Sequence, residues 1–220
     1  MVVVHHLENS RSQRVIWLLE ELQIPYGIKQ YKRDAVTKLA PAILKEVHPL
    51  GKSPVITHDG RVIAETGAIV DYIVTRLGNG RLRPDVNSDE YLRYNYWSHF
   101  AEGSAMPPLV MRLVIGSAVE RAPFFAKPFL RAMDKAINQA YLGPTIEGAF
   151  DLMEAELAKG GWFAGDRFSA ADVMMSFPLE AAGSRGGIGN RPRLKDWLER
   201  IHDRPAYRVA LEKGGPYAYA

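Results

Sequence analysis

Between residues 2 and 77 the spacing of apolar residues switches repeatedly between the period of a strand and that of a helix, and beyond residue 88 the strand signal largely disappears. This switch constrains the fold most, because the chain must set a small mixed sheet beside a helical body. Val2 to Leu7 reads as a strand, and residues 11–24 place Val15, Leu18, Leu19 and Leu22 on one helical stripe. Pro25 stops that helix, Tyr26 to Tyr31 reads as a second strand, and a weaker, polar helical stretch runs to His48. Residues 54–57 and 61–64 flank His58-Asp59-Gly60, whose Asp-Gly pair marks a tight hairpin. Helical spacing returns over 65–77, giving the order β-α-β-α-β-β-α.

Gly78, Gly80, Pro84, Asp85 and Asn87 form a polar connector, which divides the chain into units at 1–80 and 88–220. The second unit reads as all-helical. A run over 88–118 must kink or divide at Pro107-Pro108, and another over about 125–158 is bent or interrupted at Gly143-Pro144. Ser169 and Asp172 have the spacing of a capping box, so a helix starts near residue 170. A short helix carrying Leu194, Trp197, Leu198 and Ile201 ends before Pro205.

Composition enters as exclusion. With 220 residues, 47% apolar and 24% charged, the chain can bury a core and is no disordered tail. Cysteine is absent, which removes thiol nucleophiles, disulfides and cysteine metal clusters from consideration. The formal charge of +3 comes from 28 basic and 25 acidic residues that alternate along most of the chain, so nucleic acid is not an expected partner. The amino terminus has no leader pattern and no run reaches the ~20 apolar residues that span a bilayer, so the expectation is a cytoplasmic protein without a membrane partner.

Three loops carry candidate chemistry. Asn9 and Ser10 stand between the first strand and its helix, where backbone donors and the helix dipole would favour an anion, and Arg11 and Arg14 add positive potential. Simple capping is the alternative for Asn9 and Ser10. The segment HPLGKSPVI over 48–56 sets Pro54 before a strand; a cis bond there would let neighbouring backbone pair with a peptide, and Lys52 is a candidate partner for a carboxylate. Glu65-Thr66 opens the next helix with an acid, a hydroxyl and backbone donors, again with capping as the alternative. Together these loops suit a zwitterionic peptide.

With ENSRSQRVIWLLEEL at 8–22, HPLGKSPVI at 48–56, AETGAIVDYI at 64–73 and GDRFSAADVMMSF at 165–177, essentially the whole chain resembles the cytosolic glutathione transferase family. The resemblance implies an α/β thioredoxin-like N-terminal domain that binds glutathione, an all-α C-terminal domain that contributes a hydrophobic substrate site, and a homodimer. It implies that Ser10 hydrogen-bonds the glutathione sulfur, with Asn9 or Arg11 as sharers of that role. Pro54 and Val55 would meet the cysteinyl unit beside Ser53, Lys52 the glycyl carboxylate, and Glu65 and Thr66 the γ-glutamyl end. The region that bears a tyrosine in tyrosine-type members is His5-His6-Leu7 here, and cysteine-type chemistry is excluded, leaving a serine-type or mixed bacterial and fungal pattern.

The implied reaction is attack of the glutathione thiolate on a small hydrophobic electrophile. Peroxide reduction, isomerisation, and glutathione or hydrophobe binding without catalysis are the alternatives. Tyr94, Trp97, His99, Phe100, Met106 and Met111 are the candidate apolar wall, joined by Phe124, Phe125 and Phe129; core or dimer packing competes for each. No metal is expected, because the six histidines form no HExxH pattern and His5 and His6 point to opposite faces of a strand. The glycine-rich segment 183–190 lacks a P-loop lysine and a preceding strand, and Ser10 lacks a G-x-S-x-G elbow.

Overall fold

A computed structural model describes residues 1–184 and 186–220. Arg185, inside the glycine-rich segment, lies outside the described residues. The first half builds a four-stranded sheet from β1 (Val2–Leu7), β2 (Tyr26–Tyr31), β3 (Val55–His58) and β4 (Arg61–Ala64). Its order is β2-β1-β3-β4, with β1 parallel to β2 and antiparallel to β3, and β3 antiparallel to β4. Val4 pairs with Ile28 on one side and Ile56 on the other, at the centre of the sheet. Helices α1 (Ser12–Glu21) and α2 (Thr66–Tyr72) complete the thioredoxin-like arrangement. The stretch leading to His48 contains only a short 3₁₀ turn, Ala42–Glu46, since its side chains are mostly exposed and give a longer helix no face to bury.

The second half contains α3 (Asp89–Phe100), α4 (Met106–Arg121), α5 (Lys127–Ile137), α6 (Gly143–Gly160), α7 (Ala170–Gly183), α8 (Pro192–His202) and α9 (Pro205–Gly214). The expected interruptions occur as π turns, Ala101–Ala105 before Pro107 and Asn138–Leu142 before Pro144. Prolines supply no N–H, so the ladder adjusts just ahead of them. Met106 N–H bonds back to the Ala101 carbonyl and Gly143 N–H to that of Asn138. A Cβ at Gly143 would stand 2.7 Å from the Asn138 oxygen, which restricts this position to glycine.

Pro205, before which the spacing ends the last expected helix, is the first residue of a further one, α9. Helix α9 packs on α1, where the Trp17 and Tyr207 rings meet edge-on at 5.2 Å. Helix α1 is thus enclosed between the sheet and the helical body, and one continuous core runs from Val4 through Leu18 to Trp197. The expected capping box is present: Ser169 N–H and Oγ–H donate to Asp172 Oδ2 at 2.9 and 3.1 Å, and Ala171 N–H donates to Ser169 Oγ.

Candidate active site

The turn from β1 into α1 sets the first group of site residues. Asn9 adopts φ 48°, a left-handed conformation that asparagine tolerates, and its Oδ1 accepts from Ala218 N–H at 2.8 Å. Ser10 is buried. Its Oγ lies 2.7 Å from Ser12 Oγ and accepts from Ser12 N–H at 3.3 Å, while Ser12 Oγ is 2.9 Å from His6 Nδ1. The Ser10 hydroxyl therefore belongs to an inward chain of polar groups rather than to the wall of a cavity. In accepting from Ser12 N–H it also satisfies the first donor of α1, as the capping alternative has it, whereas Arg11 directly before the helix makes no side-chain cap bond.

Arg11 faces open space instead. It lines a polar cleft of about 180 Å³, an apolar cavity of about 320 Å³ and an open groove along α4. Its Nε stands 3.2 Å from Glu102 Oε2 without hydrogen-bond alignment, and its guanidinium carbon is 5.3 Å from the Phe177 ring centre. Glu102 also pairs with the fully buried Arg14, which donates in addition to the Met174 carbonyl. Burial pushes the Glu102 carboxyl up, but Arg14 and Arg11 outweigh it and hold the group below the usual glutamate value. Burial lowers Arg11 more than its neighbours raise it.

The polar cleft brings Arg11 together with Lys52, Ser53, Pro54, Glu65 and Thr66. The Ser53-Pro54 peptide is cis, and Ser53 Oγ donates to the His5 carbonyl at 2.9 Å, tying this loop to the central strand. Val55 opens β3 opposite His5, with its side chain buried. Glu65 has φ 70° at the N-cap of α2, makes no capping bond and leaves its carboxylate exposed to the cleft. A non-glycine residue held there costs energy that a purely structural corner avoids. Thr66 is buried, with Oγ1 3.5 Å from Arg14 Nη2.

The apolar cavity adjoins this cleft through Arg11, and Met106, Val110, Phe150, Phe177 and Tyr219 are among its walls. Of the wall expected from sequence, Met106 is in place and Met111 lines only the open groove. Tyr94 and Trp97 are buried core residues, and the Trp97 ring meets Phe163, which in turn meets Trp197. Phe100 is half-buried against Trp97, and His99 is exposed outside these cavities. Phe124, Phe125 and Phe129 are 86%, 74% and 74% exposed around the α4–α5 connection. Sequence reasoning missed Glu102, Arg33, Arg112 and Tyr219. Phe177 was within reach, since it ends the GDRFSAADVMMSF segment one turn beyond the capping box.

Comparison with known proteins decides the family. The glutathione S-transferase N-terminal domain model matches residues 10–76 and the C-terminal domain model residues 131–200. Glutathione S-transferase 3 of Schizosaccharomyces pombe is 38% identical over 97% of this chain and 88% of that protein. The chain belongs to the glutathione transferase family. Glutathione S-transferase 1 of Saccharomyces cerevisiae is 32% identical over 97% of this chain and 95% of its own. A crystal structure of a glutathione S-transferase from Actinobacillus pleuropneumoniae superposes with a TM-score of 0.79 at 28% identity, over 99% of this chain and 94% of that one. As a transferase of this family the protein takes glutathione as co-substrate and uses its thiolate as the nucleophile towards an electrophile. Among the described residues, no helix of this transferase is long and apolar enough to cross a membrane.

Proposed function

We propose that glutathione lies in the polar cleft, with its sulfur at the Arg11 corner where the cleft meets the apolar cavity, and that the electrophile enters from the apolar side. The observation that carries this reading is that Arg11 is common to both cavities, whereas Ser10 lines neither. Glu65 and Thr66 hold the γ-glutamyl end, Pro54 and the Val55 backbone meet the cysteinyl unit beside Ser53, and Lys52 takes the glycyl carboxylate. Arg11 supplies the positive charge that favours the thiolate. Ser10, joined to Ser12 and His6, fixes the turn that presents Arg11, and Asn9 anchors that turn to Ala218. This order of roles reverses the one implied by resemblance. Residues 1–80 then form the glutathione-binding unit and 88–220 the helical unit that completes the electrophile site.

Ultraviolet absorbance of the bound thiolate, followed against pH, separates the two assignments. Arg11→Ala is expected to raise the thiol pKa of bound glutathione by about one unit, equivalent to roughly 1.4 kcal/mol, and Arg11→Lys to restore part of the effect. Ser10→Ala is expected to move it less. A loss confined to Ser10→Ala returns the sulfur to Ser10.

The proposal extends to a cytoplasmic homodimer without nucleic-acid or membrane partners. Val62 on β4 and Leu92 and Tyr96 on α3 are exposed apolar side chains that support a covered face spanning both halves of the chain. Sedimentation of the native chain beside Val62→Lys and Leu92→Lys variants tests the dimer, with a monomeric native chain as the result against it.

A further inference from the structure

The apolar cavity carries charge of one sign. Arg11, Arg33 and Arg112 line it, and none of its lining residues is acidic. Glu102, which serves Arg11, opens instead onto the polar cleft and the groove. Arg33 donates from Nε, Nη1 and Nη2 to the carbonyls of Glu8, Lys38 and Asn9, and Glu8 Oε1 accepts from the Arg33 backbone amide at 2.8 Å, so its field is partly answered nearby. Arg112 differs. Its Nε is buried with no hydrogen-bond partner among the described residues, and no ion pair there involves it.

A guanidinium on the wall of an apolar cavity loses water when a neutral hydrophobe covers it and gains nothing in exchange. An anion reverses that balance, because the planar fork of arginine matches a carboxylate with two parallel charge-assisted hydrogen bonds. The cavity's volume of about 320 Å³ suits a compact ring rather than a long chain. Arg112 sits on α4 and Arg11 on the turn before α1, so the two cations reach the cavity from different elements.

We propose that the second substrate is an amphipathic anion, with an apolar, ring-sized body against Met106, Val110, Phe150 and Phe177 and a carboxylate or similarly charged group on Arg112. This rests on the assignment of the apolar cavity as the electrophile site. Charge selection then comes from α4 while thiolate stabilisation comes from Arg11.

The test compares a chloronitrobenzoate with the matching neutral chloronitrobenzamide. In either case the glutathione thiolate attacks the ring carbon bearing chlorine, the carbon–sulfur bond forms, and chloride leaves with the bonding pair. Each kcat/KM is divided by the uncatalysed rate with glutathione, which removes the difference in ring activation. The expected ratio favours the carboxylate by about tenfold, and Arg112→Gln is expected to abolish most of that preference while Arg112→Lys keeps part of it. A ratio near one, or one that Arg112→Gln leaves unchanged, overturns the proposal. Calorimetric binding of unreactive nitrobenzoate and nitrobenzamide to the full chain reads the same preference without chemistry, and equal affinities also overturn it. Glutathione titration of the same samples keeps the two readings apart. Failure to bind glutathione with the benzoate preference intact sinks the conjugation reading alone, whereas turnover of the amide with no benzoate preference sinks this one alone.

Discussion

His6 sits beneath the turn from β1 into α1, and its Nδ1 lies 2.9 Å from Ser12 Oγ, which in turn is 2.7 Å from Ser10 Oγ. Burial lowers the His6 pKa below the ordinary value of 6.5, with the Gly214 backbone opposing, and burial lowers His5 in the same direction with help from Lys29. Both rings are therefore neutral when folded at pH 7 and take up protons on unfolding. The sign follows: their contribution to stability is complete above pH 6.5 and is lost as the pH falls from there through the folded-state values. Glu102 has the same sign in a lower window, because its folded pKa lies below 4.5. Urea midpoints measured from pH 8 down to about pH 3 are thus expected to fall in two stages. His6→Asn retains an acceptor for Ser12 and flattens the first stage, with His5 keeping the remainder. An unchanged slope in His6→Asn counts against burial of the neutral ring as the cause.

Helices were legible where their signals are local and obscure where they depend on distant partners. Ser169 and Asp172 are three residues apart, so the start of α7 could be read directly from sequence. The further load on Asp172 could not, since Phe163 N–H and Trp197 Nε1–H approach it at 3.1 and 3.0 Å from separate elements. Asp172 accepts from four donors in a fully buried site, joining α7 to α8 and to the loop after α6. Replacing one carboxylate oxygen by an amide turns an acceptor into a donor that faces donors. Asp172→Asn is expected to destabilise the fold by about 2–4 kcal/mol in urea unfolding. A change under 1 kcal/mol, itself about the loss of a single ordinary hydrogen bond, shows that the network tolerates the amide. Helix α9 was missed for a related reason: Pro205 ends one helical reading and also begins the next, and Tyr207, Ala210 and Leu211 acquire their meaning only once α1 is there to receive them.

Across the molecule, the polar cleft was largely legible because all its lining residues but Glu102 come from three short segments within the first 66 positions, at one end of the sheet. The apolar cavity was not, because its walls come from the first turn, from the loop after β2, from α4, α6 and α7 and from the last residues of the chain, and no local spacing announces such a meeting. The final segment joins these parts. Ala218 N–H donates to Asn9 Oδ1 at 2.8 Å, Tyr217 Oη–H donates to Glu180 Oε2 at 2.6 Å, and the Tyr219 ring meets Phe177 edge-on at 5.5 Å. Glu180 is buried on α7 and accepts from Tyr207 as well; burial and the Glu180 charge push both phenols up, so both remain donors. The segment therefore connects the turn at Asn9 to the cavity wall, and its loss affects the two differently. Tyr217→Phe removes one donor from a buried carboxylate and is expected to lower stability by about 1–3 kcal/mol. Tyr219→Ala opens one wall of the cavity, so KM for the electrophile should rise several-fold more than KM for glutathione, whose cleft Tyr219 does not line. Steady-state kinetics with each substrate varied in turn measures that split, and an equal rise in both would show that the segment supports the turn at Asn9 rather than the electrophile site.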